Sequence, residues 1–134
     1  MKEQFVRTGM LVGEDGVDAL ASASVIVFGI GGVGSYVTEG LARAGIGRIT
    51  LVDKDTIDIS NINRQLPALH STVGRPKAQV MAERVADINP DCRIEAVQCF
   101  FLPDTADDFD FSTYDYVVDA LDNVTGKLAM IEKA

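Results

Sequence analysis

Apolar positions in this chain fall into short unbroken runs, separated by stretches in which they recur at helical spacing. Val25-Ile26-Val27-Phe28 is a continuous β-branched and aromatic run, the pattern of a strand buried on both faces in a parallel sheet, and it stops at Gly29. A helix is predicted from about Val33 to Ala44, where Gly45 and Gly47 provide the stop. Ile49 to Val52 reads as a second strand. Lys77 to Ile88 spaces Val80, Met81, Arg84, Val85 and Ile88 at helical intervals, and Asn89-Pro90 ends that helix because the residue before a proline avoids the α region. Arg93 to Cys99 alternates as a third strand, and Tyr116-Val117-Val118-Asp119 forms a fourth. Thr125 to Ala134 begins a helix that carries no stop signal. Residues 1–23 read as a lead-in punctuated by Gly9, Gly13 and Gly16, and Asn63 to Leu66 as a short helical turn before Pro67. Strand, helix, strand, helix, strand, strand is the order of an open α/β sheet.

Composition narrows the setting. A length of 134 residues with 47% apolar content suits one domain over residues 1–134. No apolar run approaches the ~20 residues of a bilayer span, and Met1-Lys2-Glu3-Gln4 lacks a signal peptide's apolar segment, so a cytoplasmic protein is expected. Cys92 and Cys99 have no Cys-x-x-Cys spacing and read as reduced core or loop residues, neither nucleophile nor metal ligands. The net charge of −8 argues against a general nucleic-acid surface, so any RNA contact is local. Asp104, Asp107, Asp108 and Asp110 read as a solvated loop, and His70 as a loop or surface residue.

Candidate chemistry begins where the first strand ends. Gly29-Ile30-Gly31-Gly32-Val33-Gly34 lies between a predicted strand and a predicted helix, the context in which a G-x-G-x-x-G pattern binds phosphate. The first glycine permits the tight turn, the second lets phosphate oxygens approach the backbone, and the third allows close packing of helix on strand. Asp53 follows the second strand at the distance expected of a carboxylate that accepts from ribose hydroxyls. A nicotinamide-dependent oxidoreductase shares this much, as does a nucleotide-binding module without turnover. Past Asp53 the chain supplies Asn61, Arg64 and Gln65, and Lys77 opens a helix, where its charge opposes the helix dipole and benefits from a bound anion. Arg64, Lys77 and Mg²⁺ suit the charge that builds on a leaving pyrophosphate. Asp122 stands just past the fourth strand, and a lone carboxylate there matches the preference of Mg²⁺ for few protein oxygens plus water and phosphate.

Taken together, Arg7, the glycine turn, Asp53-x-Asp55, Asn61-x-x-Arg64-Gln65, Lys77 and Asp122-Asn123 resemble the ThiF/MoeB/ubiquitin-activating enzyme superfamily across almost the entire chain. The resemblance implies a Rossmann-like, doubly wound, mostly parallel sheet with helices on both faces, which binds ATP and Mg²⁺ and adenylates a carboxylate with release of pyrophosphate. It implies that Asp53 holds the ribose, that Asn61, Arg64 and Lys77 hold the phosphates, and that Asp122 holds the metal. Gly29, Gly31, Gly32, Gly34, Asp55 and Gln65 complete the implied nucleotide site. Arg7 matches an arginine that reaches into the partner subunit's site, which implies a homodimer and makes Arg7, Arg64, Lys77 and Asp122 the catalytic candidates. Ala42-Arg43-Ala44-Gly45-Ile46-Gly47, Asn61-Ile62-Asn63-Arg64-Gln65 and Met81-Ala82-Glu83-Arg84 are similar to the branch that activates the threonylcarbamoyl group on adenosine 37 of tRNA for cyclisation. A ubiquitin-like sulfur-carrier protein is the alternative acceptor. The family domain continues beyond residue 134, so the chain is expected to be its N-terminal part.

Overall fold

A computed structural model describes residues 2–99, 109–121 and 131. Four strands, β1 (Ser24–Phe28), β2 (Arg48–Val52), β3 (Arg93–Val97) and β4 (Tyr116–Asp119), form one parallel sheet in the order β3-β2-β1-β4. The register pairs Val25 with Ile49 and Tyr116, and Val52 with Val97. The chain steps outward from β1 to β2 to β3 and then returns to the other side of β1. That reversal opens a crevice at the carboxyl ends of β1 and β4, where open α/β sheets receive their ligands.

Three α-helices accompany the strands: α1 (Val6–Ser22), α2 (Gly34–Ala44) and α3 (Lys77–Ile88). Alternate strand residues divide between the two sheet faces. Val25, Val27, Ile49 and Leu51 pack with Ala42 of α2 and with Met81 and Val85 of α3. On the opposite face Ile26, Phe28 and Val52 meet the segment 109–114, with the rings of Phe28 and Phe109 edge to face at 5.3 Å. Burial on both faces is why β1 is uniformly apolar. Of the helix predicted over Thr125 to Ala134 only Ile131 is described, and it is helical, while the acidic residues Asp104, Asp107 and Asp108 lie outside the described residues.

The lead-in predicted for the N-terminal residues is instead helical. A 3-10 turn over Glu3–Phe5 runs into α1, which bends at Gly13, where φ is 76°. Propensity alone disfavours a helix with glycines at positions 9, 13 and 16. Tertiary packing overrides it: Leu20 and Ala23 reach the main core, and the Phe5 ring lies against Gly45. Gly45 closes α2 at φ 95°, with its N–H donating to the Ala42 carbonyl and that of Ile46 to the Leu41 carbonyl. The short turn predicted over Asn63 to Leu66 occurs slightly earlier, as a 3-10 turn over Ile59–Asn63. Asp58 caps it by accepting the Ser60 N–H at 2.9 Å. The third strand stops at Val97, two residues before the predicted end at Cys99.

Candidate functional site

At the end of β1 the backbone turns through Gly29, whose φ of 92° is reserved in practice for glycine. Its N–H donates to the Val52 carbonyl at 2.9 Å, which ties the turn to β2. A methyl group on Gly34 would overlap the Gly29 carbonyl oxygen, so the third glycine is required by the contact of α2 with the strand end rather than by a ligand. Gly31, Gly32 and Val33 are left facing the crevice. Among the described residues their N–H groups carry no backbone hydrogen bond, and no side chain caps the start of α2. Unpaired donors at the positive end of a helix dipole are the components of an anion site.

Asp53 braces this turn. Its Oδ2 accepts the Ile30 N–H at 2.6 Å and its Oδ1 the Asp55 N–H at 2.7 Å. Each oxygen keeps a lone pair for a hydroxyl donor, so the bracing does not exhaust the carboxylate. Ser35, fully buried, donates to the Gly31 carbonyl at 2.5 Å and accepts the Leu66 N–H at 3.3 Å. That hydroxyl joins the glycine turn to the loop bearing Arg64 and Gln65.

The same loop is folded onto α3. Ile57, Ala68 and Val80 form a small apolar cluster with Ile62 beside it. Thr56 pairs with Pro76, the Ile57 N–H donates to the Arg75 carbonyl at 2.8 Å, and the Lys77 N–H donates to the Asp55 carbonyl at 3.0 Å. This bridge carries Lys77, the first residue of α3, to the carboxyl edge of β2. A cleft of about 490 Å³ results, with Gly29, Gly31, Gly32, Asp53, Asp55, Arg64, Gln65 and Lys77 all on its wall. Lys77 is 7% exposed and has no side-chain hydrogen bond or ion pair among the described residues. Asp58 acts on the Lys77 ammonium through space, and an anion in the cleft offsets the cost of burying a charge that has no hydrogen-bonded partner among the described residues. The Arg64 stem lies over Gly32, and its Nη1 donates to the Ser60 carbonyl at 3.2 Å and the Asn63 carboxamide oxygen at 2.9 Å. Gln65 is buried against Gly31, and its Oε1 has no hydrogen-bond partner among the described residues.

Other sequence-predicted residues have different positions. Asn61 is buried outside the cleft wall. Its Oδ1 accepts the Asp58 N–H at 2.9 Å, while its carbonyl accepts the N–H groups of Arg64 and Gln65. In this structure it therefore shapes the loop that presents those two side chains. Arg7 is exposed on α1 and does not line the cleft. Asp122 and Asn123 lie outside the described residues. His70 is exposed, as expected, and Cys92 is buried in the main core, where burial pushes its thiol pKa up.

Sequence reasoning missed part of the wall. Val33, Val52, Lys54, Cys99, Ala120 and Leu121 also line the cleft. Parallel register held the signal: Val52 pairs with Val97 and Phe28 with Asp119, so residues just past those partners arrive at one sheet edge. Among the described residues no cluster of three metal-ligating side chains occurs and no helix is long and apolar enough to cross a membrane.

Fold and cleft together define an α/β domain whose cleft, where the strand order reverses, gathers the donors of an anion site. Comparison with known proteins narrows the class: residues 5–134 match the ThiF family, and the chain belongs to it. It is 47% identical to the tRNA threonylcarbamoyladenosine dehydratase of Bacillus subtilis (strain 168), over 99% of this chain and 52% of that protein. The sulfur carrier protein adenylyltransferase of Thermus thermophilus is 40% identical over 84% of this chain and 41% of its own length. Among solved structures, E. coli tRNA N6-threonylcarbamoyladenosine dehydratase, TcdA, in complex with ATP, matches with a TM-score of 0.93 and 47% identity, over 96% of this chain and 53% of that one. The chain spans about half the length of these dehydratases.

Proposed function

We propose that residues 1–134 are the nucleotide-binding part of an ATP-dependent adenylating enzyme whose acceptor is the threonylcarbamoyl carboxylate on adenosine 37 of tRNA. The observation that carries the reading is the convergence of the glycine turn, Arg64 and Lys77 on one cleft. ATP supplies an adenylyl group and a pyrophosphate leaving group, which turns a carboxylate oxygen into part of a good leaving group. The open N–H groups of Gly31, Gly32 and Val33 hold phosphate oxygens, and Arg64 and Lys77 neutralise the charge that develops on pyrophosphate. Asp53 orients the ribose with the lone pairs its bracing leaves, and Asp55 and Gln65 border the same nucleotide.

Magnesium belongs with the phosphates. Asp122, just past β4 in the sequence, is the carboxylate assigned to the ion, with phosphate and water supplying the remaining oxygens. Exposed Arg7 acts in trans within a homodimer, and the protein works in the cytoplasm. The 47% identity to dehydratases over nearly the whole chain favours tRNA over a sulfur-carrier protein, whose adenylyltransferase is the less similar relative.

Mass spectrometry of bulk tRNA from a strain lacking the full-length protein tests the acceptor. Loss of the cyclised adenosine, with the open threonylcarbamoyl form accumulating, is the expected result. Unaltered tRNA would remove this acceptor and leave the sulfur-carrier alternative.

A further inference from the structure

Three successive residues of the glycine turn are each met by one side chain from beyond it. The Ile30 N–H donates to Asp53 Oδ2 at 2.6 Å. Gln65 Nε2 stands 3.6 Å from the point where a Cβ on Gly31 would lie, and Arg64 Cγ stands 3.6 Å from the equivalent point on Gly32. A nucleotide laid along the turn with its ribose at Asp53 therefore meets Gln65 next and Arg64 after it. The phosphate joined to the ribose is the α-phosphate, so Gln65 faces that one.

Gln65 is held in this place from several sides. Its N–H donates to the Asn61 carbonyl at 3.0 Å and its carbonyl accepts the Ala68 N–H at 3.1 Å. The next residue, Leu66, donates to the Ser35 hydroxyl that also binds the Gly31 carbonyl. The Gln65 side chain is 7% exposed and lines the cleft, yet neither end of its carboxamide has a hydrogen-bond partner among the described residues. Burying an amide without partners is costly, and a ligand that accepts from Nε2 offsets part of that cost.

We propose that Gln65 holds the α-phosphoryl group, with Nε2 donating to a non-bridging oxygen. The proposal rests on the nucleotide reading above and divides the phosphates: Gln65 serves the phosphorus that reacts, Arg64 and Lys77 the pyrophosphate that leaves. In adenylation a carboxylate oxygen bonds to the α-phosphorus, the bond from that phosphorus to the bridging oxygen breaks, and pyrophosphate departs with the electron pair. A neutral donor suits this position. A cation here would pair with the incoming carboxylate in the ground state, whereas an amide N–H acts on the charge that grows on the non-bridging oxygens.

Calorimetry on the full-length protein with excess Mg²⁺, by displacement where binding is weak, compares adenosine, AMP, ADP and ATP. Gln65→Met keeps the length of the side chain and removes both N–H groups. It should weaken AMP, ADP and ATP by about tenfold each and leave adenosine unchanged. Arg64→Ala should weaken ADP and ATP but spare AMP, so the two variants separate the phosphates. Should Gln65→Met fail to fold by circular dichroism, Gln65→Asn withdraws the donor by one methylene and is held to the same pattern. An equal loss for adenosine overturns the proposal, because the side chain would then support the turn or the nucleoside. A loss confined to ADP and ATP, or an unchanged affinity for AMP, overturns it as well. Wild-type protein that fails to bind ATP would sink the nucleotide reading itself, whereas any of those three patterns beside a wild type that binds ATP would sink only this one.

Discussion

Asp53 is engaged before any ligand arrives. Two backbone N–H groups converge on its carboxylate, one from the glycine turn and one from the loop beyond β2. Loss of such a charge-assisted acceptor costs about 1–3 kcal/mol when the donor is left unpaired. Asp53→Asn keeps the shape but aims an amide NH₂ at one of those donors. Ligand-free protein is therefore expected to lose about 1–3 kcal/mol in urea unfolding. Unchanged stability alongside weaker nucleotide binding would confine Asp53 to the ribose. Arg64 makes the complementary case, since its guanidinium is exposed and, among the described residues, bonded only to Ser60 and Asn63 oxygens of its own loop. Arg64→Ala should leave folding nearly intact and weaken ATP by about tenfold or more while adenosine loses little, as calorimetry would read. Equal losses for the two ligands would contradict a phosphate role.

At the scale of elements, α2 and α3 are joined across their exposed faces by Glu39, which pairs with Arg84 and, within α2, with Arg43 at 3.5 Å. The hydrogen bond from Arg84 is the main cause that holds the Glu39 carboxyl below its ordinary value, with partial burial acting in the opposite direction. A carboxylate whose pKa is lower folded than unfolded contributes stability that is complete above the unfolded value of about 4.3 and is lost as pH falls through the folded value. The stability gap between wild type and Glu39→Gln should thus be level around neutral pH and narrow in acid below about pH 4.3, by urea unfolding across a pH series. A gap that stays level into acid would refute the pairing.

The same elements mark what the sequence discloses. The bounds of α3 and β4 were legible because periodicity, proline and β-branched runs are local signals. α1 was not, since its glycines argue against a helix that tertiary contacts, among them those of Phe5, Leu20 and Ala23, sustain. The glycine turn, Arg64 and Lys77 were legible as residue types. Their convergence was not, because it depends on the Thr56–Pro76 bridge and the buried Ser35 hydroxyl, both long-range contacts.

For the whole molecule, the decisive balance is between global and local charge. A net charge of −8 repels a nucleotide, so affinity has to come from the cleft, where the α2 N-terminus, Arg64 and Lys77 meet. NAD presents a pyrophosphate to the same glycine turn but carries no γ-phosphate for additional cations to neutralise. A ligand that binds only the native state stabilises it by about 2.7 kcal/mol at a hundred times its dissociation constant, a shift of several degrees in a domain of this size. At equal concentrations, ATP with Mg²⁺ should raise the melting temperature more than NAD or NADP does, and the excess should shrink when Arg64 is replaced by alanine. A larger shift with NAD would mean that the glycine turn and Asp53 serve a dinucleotide and that the cations beyond β2 have some other task.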